Sequence, residues 1–180
     1  DVASDDKGNT YIVASDGSLY KYDIGGSLVD TEASSNWASV AYDNSSNRLV
    51  AGAEDSTVTI FEDGDFNTPA ANASVSAADG TSEIPHCHIN GNNEVYVGST
   101  DSSNIALEKY ELDSSGFISL SADWDFNPQD SAFGFTADIE TYLGNVYAVF
   151  TEDDRLYRLD AANGATISSP DLTTRDELEI

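Results

Sequence analysis

His86, Cys87 and His88 are the chain's only two histidines and its single cysteine, and they stand side by side. Residues of these types serve as metal ligands, or as a nucleophile with its base. The run leads into Ile89 and reads as a strand. In a strand, residues two apart share a face while the one between points the other way. The two histidines can therefore share an ion, with Glu83 or Asp130 completing the shell, a donor set that suits zinc or copper. The same alternation turns Cys87 away from both imidazoles, so no local base activates the thiol. Packing accounts for the run as well: a thiol buried between sheets and two histidines hydrogen-bonded beside it. No metal site is assigned on this spacing.

Other chemistries are even less specified. Carboxylates are so abundant that no one pair stands out for glycoside cleavage. The arginines (Arg48, Arg155, Arg158 and Arg175) are scattered and do not cluster as an acidic sugar would require. The turns Asp5-Asp6-Lys7-Gly8-Asn9, Asp43-Asn44-Ser45-Ser46-Asn47 and Glu62-Asp63-Gly64-Asp65 are rich in oxygen. Ca2+ is the one cofactor they would suit, although none is a twelve-residue loop closed by Glu. Otherwise no cofactor is expected, since Asp and Asn in turns are explained by bonds to their own backbone. Two sequons, Asn44-Ser45-Ser46 and Asn72-Ala73-Ser74, offer Asn44 and Asn72 for glycosylation.

The elements that position these residues come from a pattern that repeats. Asp16-Gly17-Ser18-Leu19-Tyr20-Lys21-Tyr22-Asp23 lines up with Asp55-Ser56-Thr57-Val58-Thr59-Ile60-Phe61-Glu62 and with Asp153-Asp154-Arg155-Leu156-Tyr157-Arg158-Leu159-Asp160. A looser copy ends in Leu107-Glu108-Lys109-Tyr110-Glu111. Each copy is an acidic turn, an alternating run and a closing carboxylate. The residue before that carboxylate falls at 22, 61, 110 and 159, giving spacings of 39, 49 and 49. Repeats of roughly 40–50 residues that read as strands mark a β-propeller blade. The fold class is therefore all-β: a propeller of about four four-stranded antiparallel blades, either closed as a small ring or forming part of a larger one. The propeller domain is predicted over 1–174, in units 1–35, 36–80, 81–127 and 128–174, with 175–180 a tail or the start of a further element. The third unit's outer strand is predicted over Gly116 to Trp124. The chain opens on Asp1 within a predicted strand, as a processed product or a segment of something longer would.

The blades resemble those of the WD-repeat and quinone-enzyme-like propellers, through the runs at 16–23 and 154–160. The resemblance is architectural. The Trp-Asp signature is absent from the third strands, and Trp124-Asp125 lies elsewhere in its unit. Ser4 to Tyr11 also resembles a sialidase Asp-box, but it occurs once and in the first hairpin, where a turn explains it.

Loops leading into the innermost strands of such a ring gather about its axis, and rigid frames carry function on loops of this kind. These segments hold Trp37, His86, His88, Asp130 and Phe133, which are the candidate binding residues; the aromatic ones also suit a core between blades.

Charge bounds the setting. There are 33 acidic against 7 basic side chains, a net of -26, beside an apolar fraction of 39%. That apolar content is too high for disorder, and the lack of a basic stripe argues against nucleic acid as a partner. An Asp/Glu surface with few lysines resembles proteins of extremely halophilic archaea and their viruses. No apolar run approaches the ~18 residues of a membrane span. The expected function is a non-catalytic extracellular interaction module. It would be displayed on a cell or virion as a spike, attachment or surface protein, with a protein or glycan partner at the loop face. Two alternatives stand beside it: a propeller hydrolase or lyase acting on a glycan through His86, His88 and Asp130, and a scaffold that completes its ring with another chain.

Like-charge repulsion of this size destabilises a compact state, and at ~1 M salt the screening length shrinks to about 3 Å. Thermal melts in falling KCl are expected to show the melting temperature dropping steadily; a melting temperature unchanged into dilute buffer contradicts this.

Overall fold

The computed structural model describes residues 1–76, 86–98, 107–118, 122–126, 136–150 and 155–170. Among them all regular structure is β. The first blade runs β1 (Val2–Ser4), β2 (Thr10–Val13), β3 (Leu19–Tyr22) and β4 (Leu28–Glu32), each antiparallel to the next. The second runs β5 (Trp37–Asp43), β6 (Arg48–Ala53), β7 (Thr57–Glu62) and β8 (Pro69–Ser76). The third holds β9 (His86–Ile89), β10 (Glu94–Gly98), β11 (Leu107–Asp113), β12 (Gly116–Phe117) and β13 (Trp124–Phe126). The fourth runs β14 (Thr136–Tyr142), β15 (Asn145–Phe150), β16 (Arg155–Asp160) and β17 (Thr166–Ser168).

The first strands of the blades sit in series: β1 packs on β5, β5 on β9, and β9 on β14. Among the described residues β1 has no comparable packing on β14. Three apolar seams lie between the four blades. Tyr11, Val13 and Leu19 meet Trp37, Leu49, Ala51 and Phe61 in the first. Val50, Val58 and Ile60 meet Val95, Val97, Tyr110 and Phe117 in the second. Tyr96 and Leu107 meet Val146, Ala148, Phe150 and Leu159 in the third. Strand alternation explains the division: Leu49 and Ala51 face one neighbour while Val50 between them faces the other, and Val95 and Val97 flank Tyr96 in the same way.

Each seam is also crossed by a hydrogen bond from a long side chain to a carbonyl. Lys21 Nζ donates to Gly64 O at 3.0 Å. Arg48 Nη2 donates to Asp113 O, with Glu62 as its carboxylate partner at 3.2 Å. Trp124 Nε1 donates to Ala161 O at 3.1 Å.

The third blade departs from expectation at its outer edge. The predicted strand from Gly116 to Trp124 is replaced by two separate strands. β12 pairs with the end of β11, Leu112 opposite Phe117, and also bridges β8 in parallel, with Gly116 opposite Asn72 and Asn72 N donating to Ser115 O at 2.6 Å. The first half of the outer edge of β11 goes to β13, with Leu107 opposite Phe126 and Glu108 opposite Asp125. The turns are also distributed differently. Gly8, Gly17 and Gly144 take positive φ as their turns require, but in the Asn90-Gly91 hairpin it is Asn93 that does so, at φ 62°.

Gly116 lies at φ 113°, and a Cβ there would overlap the Asn72 carbonyl. Gly116→Ala should lower the unfolding free energy by about 1–3 kcal/mol through this strain. Urea titration is expected to show an earlier midpoint with an unchanged slope; a midpoint equal to the parent's would mean that the β8–β12 bridge contributes nothing.

Candidate functional site

The residues singled out in the sequence separate in space. Trp37 opens β5, with its backbone N–H donating to Gly17 O at 2.9 Å and its ring 5.9 Å from Phe61 in an edge contact. It is only 4% exposed, so it belongs to the first seam and cannot present its ring to a partner. This corrects its assignment as a binding residue, and the cause is that the strand begins at the tryptophan instead of after it. Asp130 and Phe133, together with Glu83, lie outside the described residues.

Within β9 the faces divide as alternation requires. Cys87 Sγ accepts a hydrogen bond from Ser39 Oγ at 3.3 Å and donates to Val50 O at 3.6 Å, both on the second blade. Burial pushes its thiol up to about 11. At neutral pH it is therefore protonated and a poor nucleophile. His88 faces the fourth blade, with Nε2 3.1 Å from Thr141 Oγ1 and 3.6 Å from Glu140 Oε1. Its ring also lies 6.5 Å from that of Tyr96. Burial holds both imidazoles below their ordinary value; Asp138 opposes this for His86, and Glu140, Asp138 and Asp43 oppose it for His88.

The oxygen-rich turns direct their carboxylates inward onto their own backbone. Asp5 accepts from Lys7 N, Asn9 N, Asn9 Nδ2 and Tyr11 Oη. Although burial pushes the other way, bonds from Asn9, Tyr11 and Lys7 hold its carboxyl below the usual range. Asp43 is held by Ser45 and Ser46 in the same manner. The sequons differ from each other. Asn44 is exposed. Asn72 is half-buried, with Nδ2 donating to the Phe117 carbonyl in the β8–β12 bridge. A glycan on that nitrogen would have to break the bridge, so Asn72 is a poor acceptor.

A groove of about 330 Å³ lies where the third and fourth blades meet, at the turns that end their inner strands. Asn90 and Asn92 come from the β9–β10 turn, Thr141 to Asn145 from the β14–β15 turn, and Asp160 from the end of β16. The walls are rigidly built. Asn90 Nδ2 donates to Glu94 Oε2 at 2.7 Å, and Glu94 also receives Tyr96 Oη at 3.0 Å and Lys109 Nζ at 2.6 Å. Asn145 Nδ2 donates to the Tyr142 and Leu143 carbonyls, while its Oδ1 accepts from Arg158 Nε at 3.1 Å. At the rim, Tyr142 is 65% and Leu143 80% exposed, and Leu143 sits at φ 49°. Leucine rarely adopts that backbone region, and an apolar side chain is thereby held out into solvent. The groove was not foreseen, because its residues come from turns of two blades. Its one local signal is Tyr142-Leu143, large apolar residues in a turn otherwise made of Gly and Asn.

No protein-family model matches the chain, and no similar curated protein was found. Solved structures do match. A chain of a crystal structure of the mitotic checkpoint complex superposes with a TM-score of 0.74 at 14% identity, covering 96% of this chain and 52% of that one. The WD40 repeats of RRP9 give a TM-score of 0.74 at 6% identity, with coverages of 94% and 48%. BamB from Moraxella catarrhalis gives 0.66 at 20% identity, with coverages of 95% and 48%. The fold is that of a β-propeller. The chain spans about half the length of the solved propellers that it matches.

The histidines give stability a pH dependence of definite sign. Their folded pKa lies below the ordinary 6.5, so the unfolded chain takes up protons first as pH falls. This contribution is complete above about pH 6.5 and is lost as pH drops toward the folded value. Urea titrations at about pH 7 and about pH 5 should show a smaller loss of stability for His88→Gln than for the parent. An equal loss would show that His88 does not titrate between the blades.

Proposed function

We propose that the chain is a non-catalytic binding module working outside the cell, on the surface of a salt-adapted organism or of its virus, with a glycan or protein partner. The observation that carries this reading is the groove between the third and fourth blades. Its volume suits a small ligand or the end of a larger one. Its lining alternates amides and carboxylates with the exposed Tyr142 ring at the rim. Sugar hydroxyls pair with such amides and carboxylates, and a ring face accepts the C–H side of a sugar. A protein segment would use the same groups, with Leu143 as an apolar contact. The protonated Cys87 and the uncharged, packed His88 favour binding over covalent chemistry. Surface display is supported by the accessible Asn44 sequon, and brine by the charge of -26.

A glycan array probed in molar KCl tests this directly. The parent should retain a defined subset of glycans, and Tyr142→Ala should weaken those by about tenfold or more, equivalent to ~1.4 kcal/mol. Retention unaffected by both Tyr142→Ala and Asn92→Ala would move recognition away from the groove.

A further inference from the structure

His88 joins a titratable ring to a wall of the groove. It reaches from β9 toward β14, where Nε2 lies 3.1 Å from Thr141 Oγ1 and 3.6 Å from Glu140 Oε1. Thr141 lines the groove and immediately precedes Tyr142 and Leu143 at its rim. The same Glu140 Oε1 accepts a hydrogen bond from Thr141 N at 2.9 Å. Thr141 is thus gripped twice: at its hydroxyl by His88, and at its N–H by a carboxylate that also faces His88.

The surroundings make the charge of this ring matter. Its side chain is 18% exposed and that of Glu140 71%, so the ring is fixed in place while the carboxylate can move. Among the described residues, the charged groups that face the ring are Glu140 and Asp138 on β14 and Asp43 on β5, all of them acidic. Tyr96 on β10 presents only its ring, at 6.5 Å. His86 lies two residues back on the same face of β9 and also feels Asp138. β6 meets the other face, where Cys87 Sγ donates to Val50 O. A neutral imidazole keeps one acceptor nitrogen, whereas an imidazolium donates from both.

We propose that His88 is a positioning residue that couples the groove to pH: neutral, it holds Thr141 and the Tyr142–Leu143 rim in the binding form, and protonated, it lets them go and the ligand is released. In the neutral form Nε2 accepts the Thr141 hydroxyl. Protonation replaces that acceptor with an N–H, which turns to Glu140 and draws the carboxylate from Thr141 N. Both grips on Thr141 are then lost together. The coupling rests on the groove being a recognition site. Its sign follows from linkage. Burial disfavours the charged ring and Glu140, Asp138 and Asp43 only partly offset this, so release sets in below about pH 6.5. By reciprocity, a bound ligand makes His88 harder to protonate.

Two measurements in molar KCl test the coupling. The first needs no ligand: NMR spectra followed from about pH 8 to about pH 4.5, a range that brackets an ordinary histidine. In the parent, the Tyr142 ring and Leu143 methyl signals should move with the midpoint of the His88 ring, and in His88→Gln they should stay still. Rim signals that ignore a titrating His88 overturn the proposal, as does a His88 that does not titrate in this range. Glu140→Gln alters an exposed side chain and serves if His88→Gln does not fold. It should lower the His88 midpoint and weaken the response of the rim; an unaltered response also overturns the proposal. The second measurement uses the glycans that the parent retains on the array at about pH 7.5. At about pH 5 they should bind at least about fivefold more weakly, and His88→Gln should remove that difference. An equal loss in parent and variant ends the coupling but leaves the groove as the binding site. Binding untouched by Tyr142→Ala removes the groove, and the coupling with it.

Discussion

The structure depends on one constraint: a middle blade must bury apolar side chains on both of its faces. A sheet with a single dry face can lie on any apolar surface. A sheet with two must be stacked, and it fixes its neighbours on either side. β6 shows this in consecutive residues, with Leu49 and Ala51 in one seam and Val50 in the next. β10 and β11 do the same, sending Val95, Val97 and Tyr110 one way and Tyr96 and Leu107 the other. The order of blades follows from these side chains more than from the loops that join them.

Among the described residues, most polar groups around this stack have partners, with Trp37 Nε1 and Tyr42 Oη as buried exceptions. Glu94 lies beside the third seam and would be costly there alone, but Lys109, Asn90 and Tyr96 all donate to it. Those bonds keep its carboxyl below the ordinary range even though burial pushes the other way. The turn carboxylates are similarly engaged by backbone N–H groups, so part of an extreme acidic composition is local turn chemistry. The same bonds stiffen the groove walls, since Glu94 and Asn145 are each held by several partners.

The blades were legible in the sequence because their third strands repeat an alternating word, from Leu19 to Tyr22 and again from Thr57 to Phe61. The outer edge of the third blade was not, because the parallel bridge from Gly116 to Asn72 joins residues 44 positions apart, and no local pattern encodes it. Trp37 was misplaced for a boundary reason: one residue decides whether it is loop or strand, and the strand prevails once its N–H finds Gly17 O. The division of His88 from Cys87 was legible from alternation alone. Their surroundings were not, since Thr141 and Ser39 arrive from other blades. The groove is tertiary in the same sense.

Three of the ties across the seams end on backbone carbonyls, those of Gly64, Asp113 and Ala161. A carbonyl has no net charge to be masked by ions and no proton to gain in mild acid. It is also present whatever side chain its residue carries. Residue 113 can therefore change identity in descent without removing an acceptor, whereas Gly64 is held by its φ of 60° and by the Tyr11 hydroxyl that a Cβ would overlap, and Ala161 is packed in the third seam. The exterior of such a molecule is free to drift toward acid or away from it, while the contacts that hold its sheets together keep their partners.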